Sequence, residues 1–168
     1  MADQRRLHVF LRGDRGSGKT WTVRRAAELT GRPCCGFVTF FADGDLYMAS
    51  PADTEAAQKV AERRDGKMRP LPGTFDEAGT ALLSEARKHP EGLILMEECG
   101  HLEKEEARFR QEILRCLDGD IPVLGVLRKG QDWHREIENH PRVTVLGMEE
   151  GDHEALAEKI AGMLEGKA

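Results

Sequence analysis

Lys19 and Thr20 close the run Gly13-Asp14-Arg15-Gly16-Ser17-Gly18-Lys19-Thr20, a complete G-x-x-x-x-G-K-[ST] pattern. Those residue types at that spacing suit one task, the holding of a polyphosphate. Glycines at 13, 16 and 18 let several backbone N–H groups turn inward on an anion. A helix behind the loop adds its dipole and its unpaired N–H groups. The Lys19 ammonium then reaches the β- and γ-phosphates, and the Thr20 hydroxyl is placed for Mg²⁺. Asp14 and Arg15 fill variable positions, and the nucleotide-contacting stretch is taken as Gly13 through Trp21. Strand-compatible Leu7–Leu11 precedes the loop, and a helical pattern runs from Thr20 to about Leu29. A chance glycine-rich turn lacks such flanks.

Such a loop requires an acidic partner at the end of a second buried strand, fixing Mg²⁺ through water. The run Leu93-Ile94-Leu95-Met96-Glu97-Glu98 supplies four apolar strand residues and then two carboxylates. Side chains alternate along a strand, so the two acids can take different roles. Glu97 is expected to face Thr20 and the metal. Glu98 is expected to face the γ-phosphate, where it could orient or deprotonate a water. The catalytic pair expected from the sequence is thus Glu98 and Lys19, and the metal pair Thr20 and Glu97.

The elements that must position these groups alternate strand with helix. That pattern predicts a three-layer α/β domain, with a mostly parallel sheet and helices on both faces. A strand over Cys35–Phe41, a tight turn at Ala42-Asp43-Gly44-Asp45 and a return over Leu46–Ala49 predict an antiparallel edge hairpin. Ser50–Gly73 is hard to read; Ala56–Arg64 suggests a short helix, and the length suggests a functional or mobile segment. Thr74 and Glu77 match a capping box for a helix running to about Lys88. Further helices are expected at Glu103–Leu117, Asp132–Asn139 and from Gly151 or Asp152 to about Leu164, with strands at Ile121–Leu127 and Arg142–Leu146.

The 168 residues suit a single domain, residues 1–168. With a net charge of −5, no nucleic-acid surface is expected. The longest apolar runs are strand-sized, so no membrane span is expected. The start of the chain carries no signal-peptide core, and a cytoplasmic location follows by default. Cys34, Cys35, Cys99 and Cys116 have no metal-site spacing, and disulfides are not expected in that compartment. Most of the six histidines are read as surface or strand-edge residues, and the pairs Arg5–Arg6 and Arg24–Arg25 as solvated.

The stretch Glu97-Glu98-Cys99-Gly100-His101-Leu102-Glu103, followed by Phe109, resembles the nucleoside-triphosphatase family of P-loop proteins, whose pattern there is Asp-Glu-Ile-Gly-x-Met-Glu and then Phe. Gly36-Phe37-x-Thr39 and Phe75 with Ala81-Leu82 agree with that family too. The resemblance spans nearly the whole chain and is weakest over residues 50–72. It implies a RecA-like fold and slow, Mg²⁺-dependent hydrolysis of nucleoside triphosphates such as ATP or GTP, with little selectivity for the base. By position, it gives phosphate binding to Gly13–Thr20, the metal-site acid to Glu97 and the catalytic Glu to Glu98. The chain departs in having Glu97 for Asp, Glu150-Gly151-Asp152 for Asn-Arg-Asp, and a turn at Asp43-Gly44 in place of Gly-Gly-x-Arg. Lys67 and Arg69 could supply the missing positive charge, and Arg128 and Lys129 are candidates for an arginine finger.

Two other activities fit a phosphate loop. One is a nucleotide or small-molecule kinase, with Arg63, Arg64, Lys67 and Arg69 on a lid. The other is a nucleotide-dependent switch or assembly factor with an unspecified protein partner.

Overall fold

The computed structural model describes residues 7–13, 18–99, 106–128, 134–148 and 152–165, the side chains of Glu98 and Cys99 excepted. The described residues form an eight-stranded sheet in the order β5-β4-β3-β2-β6-β7-β1-β8. Its strands are β1 (His8–Gly13), β2 (Cys34–Ala42), β3 (Asp45–Ser50), β4 (Asp53–Arg64), β5 (Lys67–Pro70), β6 (Leu93–Cys99), β7 (Val123–Arg128) and β8 (Val143–Gly147). Pairing is parallel from β2 through β8 in that order and antiparallel between β2, β3, β4 and β5.

Strict alternation along the central strands builds the two faces. Val9, Leu11, Leu93, Leu95, Leu124 and Val126 pack with helices α1 (Lys19–Thr30) and α5 (His153–Leu164). Phe10, Phe37, Ile94, Met96 and Leu127 face the other way. They meet α2 (Thr80–Ala86), α3 (Ala107–Asp118) and Ile137 of α4 (Arg135–Glu138). The three-layer expectation therefore holds, as does the cap on α5, where Asp152 Oδ1 accepts from the Glu154 and Ala155 N–H groups.

Three expectations are corrected. Ala56–Arg64 is strand, not helix, and the antiparallel part continues past the expected hairpin to β5. The residues of β4 favour helix on propensity, but pairing with β3 and β5 on its two sides overrides that weak bias. Two left-handed residues, Asp65 (φ 51°) and Gly66 (φ 76°), make the two-residue turn that joins β4 to β5. Lys67 and Arg69 thus lie on an edge strand, four strand spacings from β6, or about 19 Å along the sheet. The charge-bearing lid is part of the sheet.

Thr74 caps no helix N–H; its hydroxyl donates to the Leu71 and Val60 carbonyls instead. The turn that follows, Phe75–Gly79, is π-helical. It aims Asp76 at another helix, so that Asp76 Oδ1 accepts the Phe109 N–H at 2.7 Å in the first turn of α3. A Cβ on Gly79 would stand 2.4 Å from the Phe109 ring, which itself contacts Phe37 and Phe75 at centroid distances of 5.3 and 5.8 Å.

Most of the six histidines are expected at the surface or at a strand edge; His8, in β1, and His134 are fully buried. His8 Nε2 lies 2.9 Å from the Leu117 carbonyl, and Nδ1 accepts the Val123 N–H at 3.1 Å. A carbonyl can only accept and a backbone N–H can only donate, so this pair of partners selects the neutral ring. Burial, with Arg142 and His140 nearby, lowers its pKa to about 4.

Candidate nucleotide-binding site

The parallel strands deliver the expected residues to the carboxyl edge of the sheet, where ligands of such folds bind. β1 ends at Gly13 and β6 at Cys99, with β7 between them. Asp14, Arg15, Gly16 and Ser17 lie outside the described residues; the two ends of their loop do not. Gly18, at φ 90°, is the N-cap of α1, and its carbonyl accepts both the Thr22 N–H and the Thr22 hydroxyl. The Lys19 ammonium donates to the Gly13 carbonyl at 2.8 Å, joining the loop's two ends. An ammonium has three donors, so this bond is compatible with a second role toward phosphate. Thr20 and Trp21 are exposed on the first turn of α1.

Glu97 is 4 % exposed and shares the sheet face of Leu93 and Leu95, the face that α1 covers. Its Oε1 accepts from Arg24 Nη2 at 3.2 Å. Arg24 stands four residues after Thr20, on the same side of the helix. The buried carboxylate and the Thr20 hydroxyl therefore address one side of α1. Thr39 Oγ1 donates to the Glu97 carbonyl at 3.4 Å, tying β2 to β6 at this point. Arg24 is exposed on α1, as expected, and also reaches this buried carboxylate.

β6 breaks its register here. Met96 pairs with Gly125 and Cys99 with Leu127, so β6 advances three residues while β7 advances two. That is a bulge at Glu97-Glu98, and bulges gather beside functional sites. It interrupts the simple alternation used to separate the two acids; the Glu98 side chain lies outside the described residues. Arg128 ends β7, exposed and in register with Gly13, while Lys129 lies outside.

The start of α5 closes the site from the side. Arg25 Nε donates to both Glu154 carboxylate oxygens at 3.0 Å, joining α1 to α5. His153 packs so near Gly18 that a Cβ there would meet its Cε1 at 2.7 Å. Gly18 is thus required twice, by its positive φ and by this contact. Among the described residues no group of three or more His, Cys, Asp or Glu is arranged to hold a metal. Mg²⁺ needs only one or two protein oxygens beside phosphate and water, and the hard oxygens of Thr20 and Glu97 fit it. Cys34, Cys35 and Cys116 are free thiols, and burial raises Cys116 to about 12, so none is poised as a nucleophile. No helix among the described residues is long and apolar enough to cross a membrane.

Sheet order, loop ends and Glu97 together define an α/β protein with the phosphate-binding loop of nucleotide-hydrolysing and nucleotide-switching proteins. A family model described as NTPase matches residues 49–161. The chain belongs to this NTPase family and is an enzyme of the nucleoside-triphosphatase class. Nucleoside-triphosphatase THEP1 of Thermotoga maritima is 22 % identical over 172 residues, covering 94 % of this chain and 95 % of that protein. The crystal structure of THEP1 from Aquifex aeolicus superposes with a TM-score of 0.79 at 18 % identity, over 94 % of this chain and 99 % of the other. The solution structure of a human cancer-related nucleoside triphosphatase gives 0.75 at 21 %, over 96 % and 98 %. These two structures share the fold.

Proposed function

We propose that the chain binds a nucleoside triphosphate with Mg²⁺ at the carboxyl edge of β1 and β6 and hydrolyses it to diphosphate and phosphate, slowly and with broad base tolerance. The observation that carries this reading is the buried Glu97 carboxylate, which accepts from Arg24, the residue one helical turn after Thr20 on α1. Backbone N–H groups of Gly13–Thr20 hold the phosphates, and Lys19 stabilises charge that develops on the γ-phosphoryl oxygens. Thr20 and Glu97 would hold Mg²⁺, which would supply neutralisation of phosphate charge. Glu98, next along β6, orients the attacking water or accepts its proton. Hydrolysis is preferred to phosphoryl transfer because the cationic segment suited to a kinase lid is paired sheet.

A phosphate-release panel with ATP, GTP, CTP and UTP, with and without Mg²⁺, tests this. We expect release with all four in Mg²⁺ and no added acceptor. Lys19→Ala should abolish it, and Glu98→Gln should lower kcat about 100-fold or more. Transfer to a nucleoside monophosphate, with no release to water, would overturn the proposal.

A further inference from the structure

Trp21 is 52 % exposed, a large aromatic side chain standing in water directly after Thr20. It does not serve the core, and the phosphate chemistry above does not use it. Its ring lies 6.4 Å from that of His153, at an interplanar angle of 41°. His153 is itself packed on Gly18, so the two rings continue outward from the end of the phosphate loop. Trp21 also lines an open groove of about 430 Å³ with Thr20, Arg24, Arg25 and Glu28. That volume is in the range of small-ligand sites. The groove begins at the hydroxyl assigned to metal and phosphate, and its one aromatic wall is Trp21. The Arg25–Glu154 bond holds the α1–α5 junction beside it.

We infer that Trp21 is the base-stacking platform of this site, taking the nucleobase of the triphosphate whose phosphates lie on Gly13–Thr20. This rests on the proposed phosphate binding and adds where the base goes. A base that leaves the phosphate loop beside Thr20 meets Trp21 in the same groove. Every base has a π-face, so stacking gives affinity without selecting among bases. Arg24, whose guanidinium is exposed, adds donors that suit acceptor atoms on any base edge. Broad base tolerance then has a physical source in one side chain.

The test uses the full chain with Trp133→Phe, which leaves Trp21 as the sole tryptophan. Fluorescence is followed while ATP, GTP, CTP, UTP or inorganic tripolyphosphate is added with Mg²⁺. Affinities are measured in parallel by calorimetry. We expect quenching by all four nucleotides, strongest for the purines, and none by tripolyphosphate. Trp21→Ala should weaken ATP and GTP about tenfold, in line with the loss of one stacked base. It should leave tripolyphosphate affinity unchanged, and Trp21→Phe should restore most of the loss. Equal weakening of tripolyphosphate and nucleotides by Trp21→Ala would overturn the inference while leaving phosphate binding intact. So would unchanged nucleotide affinity, including the case where Trp21→Ala instead abolishes self-association in sedimentation. Absence of binding by tripolyphosphate and nucleotides alike would overturn the proposed function and this inference with it.

Discussion

Arg24 holds the carboxylate that we propose shares the metal ion. Its guanidinium side is 60 % exposed while Glu97 is buried, so the pair straddles the boundary between core and solvent. An ion pair of that kind contributes about 0.5–1 kcal/mol. Removing it releases Glu97 toward an incoming cation by the same amount. Arg24→Ala is therefore expected to lower the Mg²⁺ concentration for half-maximal phosphate release about two- to fivefold. A Mg²⁺ titration at saturating nucleotide reads this directly, and an increase would mean that Arg24 assists the metal. The placing of Lys19 and Thr20 at the start of a helix, and of Glu97 near the end of a buried strand, is legible in the sequence because glycine spacing and an apolar run are local marks. Arg24 is not, because its partner is 73 residues away and only the packing of α1 on β6 joins them. A lone arginine on a helix carries no mark of that meeting.

The π-helical turn before α2 shows how one element can serve another. The sequence pattern Thr74…Glu77 reads as a local cap, yet the polar group that matters is Asp76, and the helix it caps is α3. α3 follows the segment that leaves β6 after the two acids, so its start sets where that segment must end. Asp76→Ala is expected to cost about 1 kcal/mol, the usual loss for a capping oxygen, read as a lower urea midpoint with unchanged slope. Gly79→Ala should cost about 1–3 kcal/mol by pushing Phe109 out of contact with Phe37 and Phe75. Local signals fail here for a stated reason. A cap or a strand partner can come from a distant element, and then neither propensity nor spacing records it. β4 is the second case, since its helix-forming residues are held extended by β3 and β5. The Asp65-Gly66 turn was visible, and joined to the strand-like ends around it would have marked the β4–β5 hairpin.

At the scale of the whole molecule, the sheet is continuous from β5 to β8 and has a packed layer on each face. We propose that it is one cooperative domain, which predicts a single thermal transition by both fluorescence and circular dichroism. Its stability should depend on pH through His8. The native pKa is about 4 against 6.5 for the free side chain, so between those values the unfolded chain binds a proton that the native chain refuses. His8's contribution is complete above pH 6.5 and is lost as pH falls toward 4, by about 3 kcal/mol in all. His134, lowered to about 4 by burial and Arg12, acts in the same direction. Melts at pH 7 and pH 4.5 should differ by about 10 °C, and His8→Gln should roughly halve that difference. An equal fall in both proteins would remove His8 as the cause. The layered α/β plan was legible from alternating strand and helix patterns, whereas the buried histidine was not, because its two partners come from the end of α3 and the start of β7. The sheet order carries one more consequence. Among the described strands β1 comes first along the chain, and its two neighbours, β7 and β8, come after all the others. Strand β1 therefore has no neighbour in the sheet until β7 has been made. Completion of the proposed nucleotide site therefore waits on β7, the strand that lies between β1 and β6.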